Sequence, residues 1–257
     1  MTLLALLAMI LALGAKRGNE ARPLDLSSAV GAQSVSAVRN KKSELMLFNF
    51  RAVEDGRLYR SSGFPRNRTG IEKGKTQKRA AAFADEQLFN WLRARKIRTV
   101  VSLEEADYFY GEQGYFDWWN KRSDTKIKVI HLPVAEERAY YGSLKGGLRA
   151  SVEFLEIMKK HRPSDGAVLI HCDTGKDRTG VVVAAYELWR NAGKTDEETL
   201  WRQVRERYLA SNTVIGKDKT AAQFAGGQQT CSDNSKGFVC GSNLDSVRSD
   251  LKLIAQL

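Results

Sequence analysis

The sequence predicts an α/β protein of three layers, in which a central, mostly parallel sheet carries helices on both faces. Two observations support this fold class. Three continuous apolar runs, "IRTVVSLE", "KVIHLPV" and "AVLIHC", are typical of strands that are covered on both faces. Segments with apolar residues at helical spacing separate and follow these runs, as expected when strands and helices alternate along the chain.

The stretch "LFNFRAVEDGRLYRSSGFP" predicts the first strands of the domain. Two short apolar segments flank Asp55 and Gly56, a pair typical of a tight turn, and the second strand carries Leu58 and Tyr59. The next segment, residues 66–79, is basic, contains glycine and has no apolar periodicity. It is therefore predicted to be an exposed loop.

Apolar spacing predicts the helices of the two outer layers. The last long one, "TDEETLWRQVRERYL", opens on a capping-box pattern formed by Thr195 and Glu198. The aromatic-rich segment from Asp107 to Trp119 allows two interpretations, the lining of a substrate cleft or packing in the core. The other predicted helices are Ala80 to Lys96, Gly147 to His161, a helix that begins near Arg178 and ends at Gly193, and a final helix near Leu244 to Leu257.

The chain begins with an apolar run from Leu3 to Ala15, too short to span a membrane comfortably. Residues 1–17 are predicted to be a signal peptide or a membrane anchor, which makes export to the periplasm or anchoring favoured over a cytoplasmic location. No basic residue precedes the run, whereas Lys16 and Arg17 follow it, as in an uncleaved anchor. A linker over 18–44, a folded domain over 45–210 and a C-terminal extension over 211–257 complete the predicted organisation.

The formal net charge of the 257 residues is +11, which favours anionic partners. No zinc-finger, RNA-recognition or helix-turn-helix signature is present, so no specific nucleic-acid partner is predicted. Two of the three cysteines, Cys231 and Cys240, lie close together in a Gly/Ser/Asn-rich stretch. They could form a disulfide in an oxidising compartment or remain two free thiols.

The third cysteine lies in "VLIHCDTGKDRTGV", where an apolar strand ends at His171 and Cys172 and a helix resumes after a glycine-bearing loop. A helix that starts near Arg178 directs unpaired N–H groups and the positive end of its dipole into this loop. Gly175 permits a tight curl, and the Arg178 guanidinium matches two phosphate oxygens. Such an environment favours a thiolate at the cysteine. The residues predicted to bind phosphate are Asp173, Thr174, Gly175, Lys176, Asp177 and Arg178.

The segment "HCDTGKDRTG" resembles the signature loop of the cysteine-based protein tyrosine and dual-specificity phosphatases, which is His-Cys, five residues, Arg, Ser or Thr, and Gly. With "GRLYRSS", "IRTVVSLEE" and "VIHLPV", the layout from about 47 to 210 resembles that of compact bacterial dual-specificity phosphatases, some of which are exported. Rhodanese-type sulfurtransferases also place Cys and Arg in a loop, but they lack the trailing Arg-Thr-Gly that enters a helix.

The resemblance implies a tyrosine-phosphatase-like fold and a reaction that uses neither metal nor cofactor. Cys172 would attack phosphorus and form a cysteinyl-phosphate, which water then hydrolyses. Arg178 and the loop amides would hold the phosphate oxygens, and Thr179 would donate a hydrogen bond to the sulfur. His171 would support the cysteine from behind, although a purely structural histidine at the strand end is the alternative.

The residue that protonates the leaving oxygen is the point at which this chain departs from the family. The family usually places an Asp on a separate loop, but the corresponding segment here, "HLPVAEERAYYG", has none. Glu137 is the favoured general acid and Glu136 the second candidate. Asp177, inside the phosphate loop, is the alternative, and a solvated pair of glutamates with no catalytic role also remains open.

A phosphorylated protein is the favoured substrate, through a phosphotyrosine or dual-specificity activity. Lys176 and the basic segment 66–79 leave a phosphoinositide or inositol phosphate as the alternative, since both would add positive charge near the site. A catalytically silent phosphate-binding module is the alternative from another class. The N-terminal segment could also associate the protein with a membrane.

Overall fold

The computed structural model describes residues 38–39, 45–47, 49–64, 86–134, 140–173, 175–217, 244–245 and 247–257. Seven strands are described in these ranges: β1 (Val38–Arg39), β2 (Leu45–Leu47), β3 (Arg51–Glu54), β4 (Leu58–Ser62), β5 (Ile97–Ser102), β6 (Lys128–His131) and β7 (Ala167–Cys172). Six α-helices accompany them: α1 (Glu86–Ala94), α2 (Ala106–Asn120), α3 (Tyr140–Lys160), α4 (Asp177–Asn191), α5 (Glu197–Lys217) and α6 (Arg248–Ala255). A single 3-10 turn, Pro163–Asp165, leads from α3 into β7.

Five strands form the main sheet in the order β3-β4-β7-β5-β6, and β1 and β2 form a separate antiparallel pair. Strand β3 runs antiparallel to β4, and the other neighbours in the sheet are parallel. The hairpin turn falls at Asp55 and Gly56, as predicted. The mostly parallel sheet that the sequence predicts is therefore confirmed.

Strand β7 lies in the middle of the sheet and is buried along its whole length. Because successive side chains of a strand point to opposite faces, Val168 and Ile170 join one hydrophobic cluster and Ala167 and Leu169 join the other. The first cluster contains residues of α3, α4, α5 and α6, and the second contains residues of α1 and α2. Helices thus cover both faces, which confirms the three-layer architecture.

Helix α4 lies at the centre of the larger cluster and is buried on almost every side. Helix α3 packs along it and begins at Tyr140, well before the predicted start at Gly147. A Cβ atom at Gly147 would lie 3.1 Å from Val181 Cγ1, so this glycine permits the close approach of the two helices. A glycine that serves helix packing resembles a helix boundary when only the sequence is considered, which is why the predicted start was wrong.

The end of the chain packs onto the larger cluster. Leu251 of α6 is fully buried there, and α6 contacts both α3 and α4. Ion pairs to the first turn of α5, from Arg248 to Glu198 and from Lys252 to Glu197, join the two helices further. Helix α5 also continues past the predicted domain boundary at 210, to Lys217.

None of the helices in the described ranges is long and apolar enough to span a membrane. The predicted signal peptide or anchor over 1–17 and the basic segment 66–79 lie outside the described residues, as do Cys231 and Cys240. The predictions made for these segments stay predictions.

Candidate active site

The carboxyl ends of β4, β5 and β7 meet at one edge of the sheet, which is where ligands bind in open α/β folds. Cys172 is the last residue of β7 and is only 1% exposed. In the strand register it lies opposite Ser62 of β4, while His171 lies between Ser61 of β4 and Ser102 of β5. The sheet therefore fixes the backbone of the cysteine from both sides.

The loop after Cys172 curls back against β4. Gly175 has a φ of +68°, and a Cβ atom there would lie 2.4 Å from the Ser61 carbonyl oxygen, so glycine is required on both counts. The Gly175 carbonyl accepts hydrogen bonds from Arg60 Nη2 and from Asn49 Nδ2, the latter at 3.0 Å. Because the two polar groups of a trans peptide point in opposite directions, the N–H of Lys176 points away from Arg60.

Helix α4 starts directly after this curl, at Asp177. The Lys176 carbonyl accepts a hydrogen bond from the Gly180 N–H at 2.6 Å, which begins the helical pattern. The first amides of a helix have no partner within the helix and carry the positive end of its dipole. The loop from Cys172 to Arg178 can therefore bind an anion through backbone N–H groups.

Arg178 belongs to the first turn of α4 and is 7% exposed. Its Nη1 donates hydrogen bonds to the carbonyl oxygens of Leu103 and Val134, both at 3.3 Å. The same nitrogen lies 3.6 Å from Glu104 Oε2. Groups from the ends of two neighbouring strands thus orient the guanidinium at the edge of the sheet.

Glu104 follows β5 and is 4% exposed. Burial raises the pKa of its carboxyl group to about 7, although the charge of Arg178 acts in the opposite direction. A carboxylate with this pKa changes its charge near neutral pH, so the ion pair with Arg178 depends on pH in that range.

A second buried carboxylate lies behind the cysteine. Nε2 of His171 lies 3.5 Å from Oε2 of Glu112, which α2 brings into the core, and both side chains are almost fully buried. Burial lowers the pKa of His171. Glu112 and, more weakly, Glu104 raise this pKa, and together the raising effects exceed that of burial, so the pKa is raised overall. The two carboxylates therefore stabilise the charged form of this imidazole.

Residues 78–251, more than half of the chain, match the protein family described as "Tyrosine phosphatase family". The chain belongs to the tyrosine phosphatase family. This membership supports cysteine-based phosphatase activity and agrees with the loop geometry around Cys172. A search of curated proteins finds no match to the sequence.

Solved structures similar to this member of the tyrosine phosphatase family include two proteins. The core catalytic domain of the PP-IP phosphatase SIW14 from S. cerevisiae, in complex with citrate, is 18% identical with a TM-score of 0.37, and the alignment covers 76% of this chain and 93% of that chain. TpbA of P. aeruginosa is 18% identical with a TM-score of 0.37, covering 78% of this chain and 87% of its own. A TpbA variant in complex with pTyr is 17% identical with a TM-score of 0.35, with coverages of 80% and 95%.

The structure brings most of the predicted tyrosine phosphatase site residues together at the loop. Thr179 is fully buried, and its hydroxyl has no hydrogen-bond partner among the described residues. Asp177 accepts a hydrogen bond from the Tyr208 hydroxyl of α5 at 3.2 Å. Lys176 is 5% exposed, and the half-buried Asp173 accepts a hydrogen bond from the Gly63 N–H through its carbonyl. Thr174, Glu136 and Glu137 lie outside the described residues.

Four residues of the site were missed by the sequence analysis: Asn49, Arg60, Glu104 and Glu112. Arg60 and Glu104 each carry a signal that could have revealed them, because one is a charged residue inside a predicted strand and the other ends the apolar run "IRTVVSLE". Glu112 lies in an aromatic-rich helix and carries no such signal. Among the described residues, no group of three or more His, Cys, Asp or Glu side chains could hold a metal ion.

Proposed function

We propose that the protein hydrolyses phosphomonoesters of phosphorylated proteins, with phosphotyrosine as the favoured substrate, through a cysteinyl-phosphate on Cys172. The observation that carries the proposal is the position of this buried cysteine, which comes directly before a loop closed by Gly175 and by the first turn of α4. A nucleophile and an anion-binding loop in one segment suit the transfer of a phosphoryl group.

In the first step, the Cys172 thiolate attacks phosphorus, an S–P bond forms, and the bond between phosphorus and the leaving oxygen breaks. Arg178 and the loop amides bind the other phosphate oxygens as their charge changes. The Thr179 hydroxyl donates a hydrogen bond to the sulfur, a role that suits a buried hydroxyl with no partner among the described residues.

The leaving oxygen takes a proton from a general acid, for which Glu137 is the favoured residue, Glu136 the second candidate and Asp177 the alternative. Val134, whose carbonyl binds Arg178, lies just before the two glutamates in the sequence. In the second step, water attacks phosphorus, the S–P bond breaks, and the same acid residue accepts the proton of the water. Phosphate and the thiolate are then released.

A phosphoinositide or inositol phosphate is the second candidate substrate. Lys176 favours it, because this lysine is buried within the loop and makes no ion pair with any described residue. A substrate with several phosphates would supply the missing negative charge. The formal net charge of +11 also favours a substrate that carries several negative charges.

Turnover of para-nitrophenyl phosphate tests the reaction and the acid separately. The wild type should turn over, and Cys172→Ser should lose more than about a thousandfold in kcat. Glu137→Gln should lose about a hundredfold in kcat, and the loss should be smaller with a substrate whose leaving group needs no proton. Glu136→Gln is the matched control for charge and position.

The outcomes separate the alternatives. Undiminished turnover in Cys172→Ser would refute the mechanism. A normal rate in Glu137→Gln together with a slow rate in Glu136→Gln would show that Glu136, and not Glu137, is the general acid. Binding of phosphate without any turnover in the wild type would favour a silent binding module. A comparison of phosphotyrosine peptides with phosphoinositide vesicles would identify the substrate class.

We also propose that residues 1–17 export the protein or anchor it to a membrane. The apolar run from Leu3 to Ala15 supports this proposal. Fractionation of cells that express the full chain should place it in the periplasm or the membrane. Recovery in the cytoplasmic fraction alone would contradict it.

A further inference from the structure

Glu112, which none of the predicted roles includes, forms a buried polar pair with His171. The exposed fraction of the side chain is 3% for Glu112 and 0% for His171. Neither ring nitrogen of the histidine, nor Oε2 of the glutamate, has a hydrogen-bond partner in the described part of the chain. Buried polar atoms are nearly always satisfied in folded proteins. Nε2 of His171 and Oε2 of Glu112 are therefore each other's partners, across 3.5 Å.

We propose that Glu112 is a positioning residue of the phosphatase reaction, which keeps His171 protonated behind Cys172 and so favours the attacking thiolate. The effect on turnover rests on the proposed function. The effect on the cysteine itself does not, because the charge of a thiol can be measured without any substrate.

The geometry indicates how a charge on His171 reaches the cysteine. Consecutive residues of β7 point to opposite faces, so the imidazole packs edge-on against Phe64 while Cys172 belongs to the cluster around α4. The ring therefore lies across the sheet from the sulfur and acts on it through space, over the width of one residue. In a buried region of low dielectric constant, such a charge acts far more strongly than it would in water.

The other groups around the imidazole agree with a positive charge there. Glu104 at the end of β5 also raises the pKa of His171, as does the backbone of Cys172. Arg178 is the nearest positive group, and it is paired with Glu104 at 3.6 Å. The residues beside His171 in the flanking strands, Ser61 and Ser102, are neutral. The carboxylates of Glu104 and Glu112 thus both favour a charge on the histidine, and of these two only Glu112 pairs with it. Arg60 of β4 is a further buried cation, and its charge acts on Cys172 itself.

The test is the rate at which iodoacetamide alkylates Cys172, measured from pH 5 to 9 in the full chain by mass spectrometry of the peptide that contains this cysteine. The Glu112→Gln variant keeps the size of the side chain but removes its charge. We expect the pH midpoint of alkylation to rise by at least about half a unit, and kcat/KM at acidic pH to fall about threefold with KM unchanged. An unchanged midpoint would overturn the proposal even if the enzyme turned over normally.

Two further variants separate a positioning role from a structural one. Glu54→Gln removes a glutamate that pairs with Arg190 at 2.6 Å near the opposite edge of the sheet, and should leave the midpoint unchanged. In a His171→Asn background, Glu112→Gln should no longer move the midpoint, and a shift of the same size there would refute the pair as the route. If Glu112→Gln fails to fold, Glu112→Asp serves instead, with a smaller shift in the same direction expected and no shift contradicting the proposal.

Discussion

The phosphate loop is held at two places by groups of different chemistry. These are called the Gly175 end and, at Arg178, the carboxylate end. At Gly175, Arg60 and Asn49 donate hydrogen bonds to a backbone carbonyl. At Arg178, the partners are two carbonyl oxygens and the carboxylate of Glu104, whose charge changes near neutral pH. The first end fixes the shape of the loop at any ordinary pH, because burial lowers the pKa of Arg60 only to about 10. The second end changes its charge with pH, through Glu104.

This difference separates the shape of the site from its charge. Substitutions at the Gly175 end should reduce activity and stability without changing how stability depends on pH. Substitutions at the carboxylate end should change the pH dependence more than they change the shape. The predictions below test this separation, beginning with the largest expected effect.

Gly175→Ala should have the largest effect. The new methyl group would combine a positive φ with a contact of 2.4 Å to the Ser61 carbonyl oxygen, so the free energy of unfolding should fall by about 3 kcal/mol or more. Turnover of para-nitrophenyl phosphate should fall by about a hundredfold, because the phosphate-binding amides would move. Urea unfolding and steady-state kinetics measure the two effects.

Gly193→Ala is the matched control for Gly175→Ala. Gly193 also has a positive φ, of +74°, but nothing lies within 4 Å of the position that a Cβ atom would take. In Gly193→Ala the free energy of unfolding should fall by only about 1 kcal/mol, and turnover should stay unchanged. Equal losses in the two variants would show that backbone conformation alone, and not the contact with β4, fixes the loop.

Arg60→Met should have the next largest effect on activity. The Gly175 carbonyl would keep Asn49 as its donor among the described residues, so kcat/KM should fall by about ten- to a hundredfold, while the change in stability should be nearly independent of pH between 4.5 and 8. Arg57→Met is the control, because Arg57 donates to the Met158 carbonyl of α3 and not to the loop. Urea unfolding measures the change in stability, and a strong dependence of that change on pH between 4.5 and 8 would contradict the separation of shape from charge.

The sheet and the nucleophile could be predicted from the sequence because their signals are local. Strands β5, β6 and β7 each lie in one apolar run, and the residues from His171 to Gly180 are contiguous, so the loop and the helix that follows are visible as one pattern. The turn at Asp55 and Gly56 is equally local. Local signals also mislead, as at Gly147, where a helix-packing glycine resembles a helix start.

The groups that hold the loop could not be predicted in this way, because they lie far away in the sequence. Asn49 and Arg60 precede the residue that they bind, Gly175, by 126 and 115 positions. Only the pairing of β4 with β7 brings them together, and that pairing depends on the topology of the whole sheet. The same holds for Glu112, whose partner His171 lies on another element of the fold.

Glu104→Gln should change stability in a pH-dependent way. The pKa of Glu104 in the folded protein is about 7, above the ordinary value of 4.5, so between these values the folded state keeps a proton that the unfolded state has lost. The stability that this proton contributes is present below pH 4.5 and is lost as the pH rises through 7. The free energy of unfolding of the variant, relative to that of the wild type, should therefore rise by about 3 kcal/mol as the pH increases across this range.

Urea unfolding at several values between pH 4.5 and 8 measures this difference. Glu153→Gln is the control, because Glu153 forms an exposed ion pair with Arg149 at 2.9 Å and should give a difference that is nearly independent of pH. A flat difference for Glu104→Gln as well would mean that Arg178 keeps this carboxylate ionised throughout. The carboxylate end of the loop would then be as insensitive to pH as the Gly175 end.

Asn49→Gly should have the smallest effect. It removes the hydrogen bond to the Gly175 carbonyl and a longer one, of 3.3 Å, that the Asn49 amide oxygen accepts from Arg51. Asn49 has a φ of +53°, which glycine adopts easily, so the variant removes the side-chain amide without straining the backbone. The free energy of unfolding should fall by about 1 to 2 kcal/mol and turnover by less than about tenfold, because Arg60 still holds the Gly175 carbonyl. Urea unfolding and para-nitrophenyl phosphate kinetics measure both, and a loss as large as that of Arg60→Met would show that the neutral donor, and not the buried cation, sets the shape of the loop.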